Sequence, residues 1–221
     1  MTTYLLIPGA GGDPFYWHPV VPLLEAVGHE AIPVDLPGPD PAAGLPEYTE
    51  IALAAADGRT DVVLAAQSMG GFTAPLVAAR RPLRALVLVN AMIPVPGETA
   101  GQWWDDTGSQ EARVQAAEQG GYSTEFDVDT YFLHDVPPEV LADGPAPLDE
   151  SEAAFASPCD FTAWPDIPIR AVAGRDDRFF PAEFQRRLAK DRLGVDADLL
   201  PGGHLIALAH PEPLADYLLK L

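Results

Sequence analysis

The sequence predicts the α/β class: a mostly parallel sheet of about six strands with helices on both faces. Three observations carry that reading. Short apolar runs of strand length recur along the chain, with its prolines and glycines dispersed between them. Stretches of helical spacing lie between them, so strand and helix alternate. The runs are apolar at consecutive positions, which means both faces of each strand are covered, as in a parallel sheet.

In chain order, Thr3 to Ile7 reads as the first strand, closed by Pro8-Gly9-Ala10-Gly11-Gly12. Trp17 to Val27 has helical spacing and stops at Gly28, a suitable helix C-cap. Ala31 to Asp35 is the second strand, and Tyr48 to Ala56 an Ala-rich helix that stops near Gly58. Val62 to Ala66 is the third strand, followed by a helix over 71–80 and a fourth strand over Leu83 to Val89. The periodicity then lapses. Residues 93–166 are rich in Pro, Gly and acid, with short helical patches at Glu111 to Gln119 and Asp127 to His134. We read them as a small cap insertion lying over the carboxyl ends of the strands. Regular order resumes with a strand at Ile169 to Ala173, a helix over Pro181 to Lys190, a short strand near Ala197 to Leu200 and a closing helix over Pro211 to Leu219. The 221 residues suffice for one sizeable core, so 1–221 is expected to form a single domain with the insertion inside it.

Composition excludes several function classes. A hydrophobic content of 48% with 21% charged residues is that of an ordinary globular chain. A single cysteine, Cys159, rules out an internal disulfide framework and suits a reducing cytoplasm. The first residues carry no basic region of the signal-peptide kind, and no run is long and apolar enough to span a bilayer. A soluble cytoplasmic protein, monomer or homodimer, is the expectation. The formal net charge of −20 argues against nucleic acid and against an anionic membrane surface. Between Pro94 and Asp166 the many carboxylates accompany one basic residue, Arg113, so a site bordered by that segment would favour a neutral or cationic small-molecule substrate. The five histidines show no metal-ligand spacing, so no metal is expected, and nothing calls for a cofactor.

The chemistry centres on Asp61-Val62-Val63-Leu64-Ala65-Ala66-Gln67-Ser68-Met69-Gly70-Gly71. A serine at a sharp strand-to-helix turn cannot fold its side chain away, and helix amides lie beneath it. Small residues two positions either side, Ala66 and Gly70, let strand and helix draw close. A serine hydroxyl needs a base, and His204, after Gly202-Gly203, is suited to the task. The base in turn needs a carboxylate on its other ring nitrogen, available from Asp177 or from its neighbour Asp176. A developing oxyanion needs fixed N–H donors, each worth about 2.7–4 kcal/mol. The amides of Met69 and Ala10 are the candidates. Trp103 and Trp104 could line a substrate-binding pocket or simply pack the insertion.

These segments, with Val34-Asp35-Leu36-Pro37-Gly38 and the tail Leu205 to Leu219, resemble a small α/β-hydrolase of the esterase and hydroxynitrile-lyase-like branch. The order Ser68, Asp177, His204 is the one that fold uses, and the resemblance places the acid at Asp177. Pro8 stands where relatives commonly carry His, Ala66 where they carry Gly, and the first two strands of the full fold are missing. The resemblance implies hydrolysis of a small neutral carboxylic ester, lactone or thioester through an acyl-enzyme on Ser68. Alternatives on the same residues are an acyltransferase or thioesterase helper, a cofactor-free lyase and a non-catalytic ligand receptor. Against the lyase, Leu205, Ile206 and Ala207 follow the histidine where that group has a lysine.

Overall fold

A computed structural model describes residues 1–142, 144–146 and 150–221. Six strands form one sheet: β1 (Thr3–Ile7), β2 (Glu30–Pro33), β3 (Val62–Gln67), β4 (Ala85–Val89), β5 (Ile169–Gly174) and β6 (Ala197–Leu200). Their spatial order is β2-β1-β3-β4-β5-β6, and every neighbouring pair is parallel. The expected class and strand number are therefore observed.

Alternate residues of each central strand feed two separate cores. Leu5, Ile7, Leu64, Ala66, Leu86 and Leu88 face one, while Tyr4, Leu6, Val63, Ala65, Val87 and Val89 face the other. This is why the strands read as continuous apolar runs. The first core is covered by α2 (Leu45–Ala55), α3 (Gly70–Ala78) and α8 (Ala182–Leu193), and the second by α1 (Val21–Glu25), α9 (Ile206–Ala209) and α10 (Pro211–Leu218). The stretch between β4 and β5 holds α4 (Ala100–Thr107), α5 (Ser109–Gly120), a π-helical turn at Asp129–Leu133, α6 (Pro138–Leu141) and α7 (Glu152–Ala156).

Some boundaries differ from the sequence reading. The helix expected over Trp17 to Val27 is split into a 3-10 turn, Pro14–Trp17, and the short α1. Pro19 and Pro22 lack the N–H groups that would continue one helix into the other. Helix α2 starts at Leu45, three residues before the expected Tyr48, because Glu47 reaches back to cap the Gly44 N–H at 2.9 Å. Among the described residues no helix is long and apolar enough to cross a membrane.

Candidate active site

The sheet order reverses direction between β1 and β3, and the loops at their carboxyl ends carry the first functional groups. Register fixes who meets whom. Ile7 pairs with Ala66 and Gln67 with Val89, so the β1 loop and the end of β4 both flank Ser68. Ser68 has φ +48, a left-handed backbone rare for a residue with a side chain. Such a conformation costs about 1–3 kcal/mol and persists only where its surroundings impose it. Those surroundings are backbone: a Cβ on Gly70 would overlap the Pro8 carbonyl oxygen, and one on Gly71 the Met92 carbonyl oxygen. A Cβ on Gly9 would meet Ser68 Cβ at 2.9 Å, so the β1 loop lies directly against the serine.

Three expected residues come together. His204 Nε2 lies 3.1 Å from Ser68 Oγ, and His204 Nδ1 lies 2.9 Å from Asp177 Oδ2. Ser68 is 8% exposed, Asp177 4% and His204 1%, so the row is largely withdrawn from water. Asp177, not Asp176, meets the imidazole: Asp176 is exposed and its Oδ2 accepts a long bond from the Gly202 N–H at 3.4 Å. The Asp177 carboxylate is fully engaged. Its Oδ1 accepts from the N–H groups of Phe179 at 2.8 Å and Phe180 at 2.9 Å, and its Oδ2 also accepts from Gln185 Nε2 at 3.1 Å. Gln185 was not anticipated; it occupies one position of α8 with nothing in the local sequence to mark it.

Three phenyl rings enclose the imidazole. Phe132 stacks on it with centroids 4.9 Å apart and planes at 19°, and Phe179 and Phe180 lie edge-on at 5.1 and 5.2 Å. Phe132 comes from the π-helical turn between β4 and β5, so that segment reaches the site. A dry surround strengthens each polar contact within it. Trp103 is fully buried, donates from Nε1 to the Ile93 carbonyl at 3.2 Å and packs on Phe180 and Phe184. It belongs to the core, with Phe180 between its ring and the imidazole. Trp104 is partly buried against Phe179 and Phe180, one ring removed from His204.

The amide N–H groups of Met69 and Ala10 take part in none of the turn, loop and cap hydrogen bonds among the described residues. Beside Met69 is a tight crevice with no room for a water molecule, lined by Pro8, Gly9, Leu36, Tyr48, Thr73 and Glu150 among others. Glu150 Oε2 accepts from the Gly11 N–H at 3.0 Å, Tyr48 donates to Oε1, and burial pushes the Glu150 carboxyl above its ordinary range. The Cys159 thiol is buried, donates to the Phe72 carbonyl at 3.1 Å and is pushed far up by burial, so it remains protonated. Among the described residues no three His, Cys, Asp or Glu side chains gather in a metal-ligating group.

A strained serine after the third strand, a carboxylate after the fifth and a histidine after the sixth agree with a comparison of the whole chain with known families: residues 4–217 match the model of the alpha/beta hydrolase family. The chain belongs to the alpha/beta hydrolase family. It is similar to a pyrethroid hydrolase of Sphingobium wenxiniae, at 27% identity over 98% of this chain and 86% of that protein. Among solved structures, it resembles a pyrethroid hydrolase from Sphingobium faniae with a TM-score of 0.77, at 23% identity over 99% of this chain and 96% of that one. A methylesterase from Arabidopsis superposes equally well, with a TM-score of 0.77 at 17% identity, covering 100% of this chain and 98% of the other. At such identities these two structures speak for the fold alone.

Proposed function

We propose that this alpha/beta hydrolase cleaves a small, neutral carboxylic ester through an acyl-enzyme on Ser68. The observation that carries the reading is the unbroken row Ser68 Oγ, His204, Asp177, with both contacts within hydrogen-bond reach. In the reading, His204 Nε2 takes the Ser68 proton as Oγ attacks the carbonyl carbon. Asp177 holds the proton on Nδ1, so that Nε2 is the basic nitrogen, and it stabilises the imidazolium that forms. The Ala10 and Met69 N–H groups receive the oxyanion. His204 then gives its proton to the leaving alcohol, and the C–O bond to that alcohol breaks. Water, deprotonated by the same nitrogen, attacks the acyl carbon and frees Ser68 as the acid product departs.

The crevice beside Met69 and Gly9 is too tight to hold a water molecule, so an acyl group entering there would have to part its walls. The pyrethroid hydrolase of Sphingobium wenxiniae, 27% identical over 98% of this chain, supports a hydrolytic reaction. Thioesters and lactones present the same carbonyl to the same groups and belong to the same proposal.

The test is a panel of p-nitrophenyl esters of graded acyl length, with thioesters and lactones beside it, assayed with wild type and Ser68→Ala. Turnover that falls at least about a thousandfold in Ser68→Ala is expected, together with labelling of wild type alone by a fluorophosphonate. A panel and probe with no signal that depends on Ser68 would overturn the proposal.

A further inference from the structure

Ser68, Asp177 and His204 sit on loops that follow three different strands, and one residue outside the row bonds to the Asp177 and His204 loops while its neighbours in sequence bond to Ser68. Asn90 directly follows β4, which lies between β3 and β5. It is fully buried, and its φ of +46 is the second left-handed backbone at a non-glycine residue among those described. The residue before it, Val89, accepts from the Ser68 N–H at 3.2 Å, and the Met92 N–H two residues on donates to the Ser68 carbonyl at 2.9 Å. The Asn90 N–H itself donates to the Val172 carbonyl at 2.8 Å. Its side chain spans the rest. Oδ1 accepts from the Gly174 N–H at 2.6 Å, at the start of the loop that carries Asp177. Nδ2 donates to the carbonyls of Gly203 and His204, each at 2.9 Å.

We infer that Asn90 is a positioning residue for the reaction, a carboxamide that holds the backbone of His204 at a set distance from the Ser68 and Asp177 loops. The inference rests on the hydrolase reading above. Proton transfer needs the heavy atoms within about 2.6–3.2 Å, and His204 Nε2 sits near the far end of that range from Ser68 Oγ. A small slide of the His204 backbone would therefore carry the imidazole out of reach. Among the described residues the only other side chain bonded to the His204 carbonyl is Gln67, through a long contact of 3.4 Å from Nε2, so the tight restraint there comes from Asn90. The residue type follows from the geometry. A left-handed backbone is tolerated by Gly, Asn and Asp, and of these Asn alone offers an acceptor for one N–H and donors for two carbonyls.

Two variants test this. Asn90→Gly keeps the backbone conformation and deletes the clamp. Asn90→Asp is nearly the same shape and keeps the acceptor for Gly174, but turns an oxygen toward two carbonyl oxygens. Turnover is measured per active site titrated with a fluorophosphonate, and the His204 Nδ1–H proton is followed by NMR. In Asn90→Gly, kcat per titrated site is expected to fall about 10- to 100-fold with KM within about threefold, and the Nδ1–H resonance to broaden or disappear. Asn90→Asp is expected to fall at least as far at neutral pH. Its activity relative to wild type rises as the pH is lowered, because the protonated carboxyl can donate one of the two lost bonds. A folded variant that no longer labels is judged by the Nδ1–H resonance alone, which the inference requires to broaden or disappear. A merely structural Asn90 would lower the melting temperature and the titrated fraction while leaving kcat per site and the resonance alone; a kcat per site within threefold of wild type in both variants, or an unchanged resonance in Asn90→Gly, overturns the inference. A wild type inert toward the whole panel of esters, thioesters and lactones and unlabelled by the probe would defeat the hydrolase reading instead, and the resonance would still decide the role of Asn90.

Discussion

Asp177 shows how much of the candidate site is settled by single atoms. Its two oxygens receive bonds from two backbone amides, from Gln185 and from His204, so every neighbour is a donor and the residue must remain an acceptor. In Asp177→Asn the amide NH₂ must face either the N–H groups or the imidazole. Facing the imidazole, it forces the ring proton onto Nε2, where it points at Ser68 and abolishes the base. We expect kcat to fall about 10³–10⁴-fold with little change in KM, while the exposed Asp176→Asn stays within about twofold of wild type. Steady-state kinetics on any ester that wild type turns over decides it, and a loss below tenfold for Asp177→Asn would remove the carboxylate from the mechanism. The same burial logic separates Cys159 from Ser68. Both side chains are polar and sequestered, but the thiol is raised by burial and bonded to a carbonyl, whereas the hydroxyl faces a base.

Elements deliver these atoms, and the joint between β3 and α3 is the tightest of them. Every residue of α3 from Gly70 to Pro75 is buried, and at Gly71 the helix closes on the Met92 carbonyl just beyond β4. Gly71→Ala has no low-cost answer, because the atom in the way is backbone tied to Ser68 through the Met92 N–H. We expect a loss of roughly 1–3 kcal/mol in urea unfolding, in line with overpacked cores, and a kcat that falls with it as the elbow shifts. Full stability in the variant would mean the joint is looser than drawn. This joint was legible in the sequence: an apolar run, a serine among small residues and an apolar helix leave few alternatives. So were β1 and β6, whose runs end in the glycine-rich Pro8 to Gly12 and Pro201-Gly202-Gly203. The stretch between β4 and β5 was less readable. Its α4 has a box in which Thr99 and Gln102 cap each other, a signal present in the sequence but submerged in a Pro- and acid-rich stretch with few apolar positions. Phe132 and Asn90 were beyond reach for a different reason. What they do depends on partners more than 70 residues away, and neither short-range spacing nor composition encodes such a contact.

At the scale of the whole molecule, the reversal of strand order opens a crevice between the β1 and β3 loops, and the strand ends beside it bring the remaining groups to the same edge. Around that edge lies a chain with 33 carboxylate and 13 Lys and Arg side chains. Apart from Asp177, those charges have no part in the proposed bond-making steps, since the row itself is buried among phenyl rings. Their influence is on approach. A net charge of −20 surrounds the molecule with a negative potential, and the acid-rich segment between β4 and β5 touches the site through Phe132. A substrate with a quaternary ammonium on its alcohol side should therefore be drawn in, and an anionic one of the same shape repelled. Salt separates this long-range effect from a pocket that simply fits a cation. The screening length falls from about 30 Å at 0.01 M to about 10 Å at 0.1 M, which spares close contacts and removes distant ones. We expect kcat/KM for a cationic ester to exceed that of its neutral isostere severalfold at 10 mM salt. The ratio then falls toward one at 300 mM, while the neutral ester is unmoved and the anionic one gains. A preference that survives at high salt would place the discrimination inside the pocket, with the Glu150 carboxyl as the group to mutate first; no preference at either salt would mean that the acidic surface serves solubility alone.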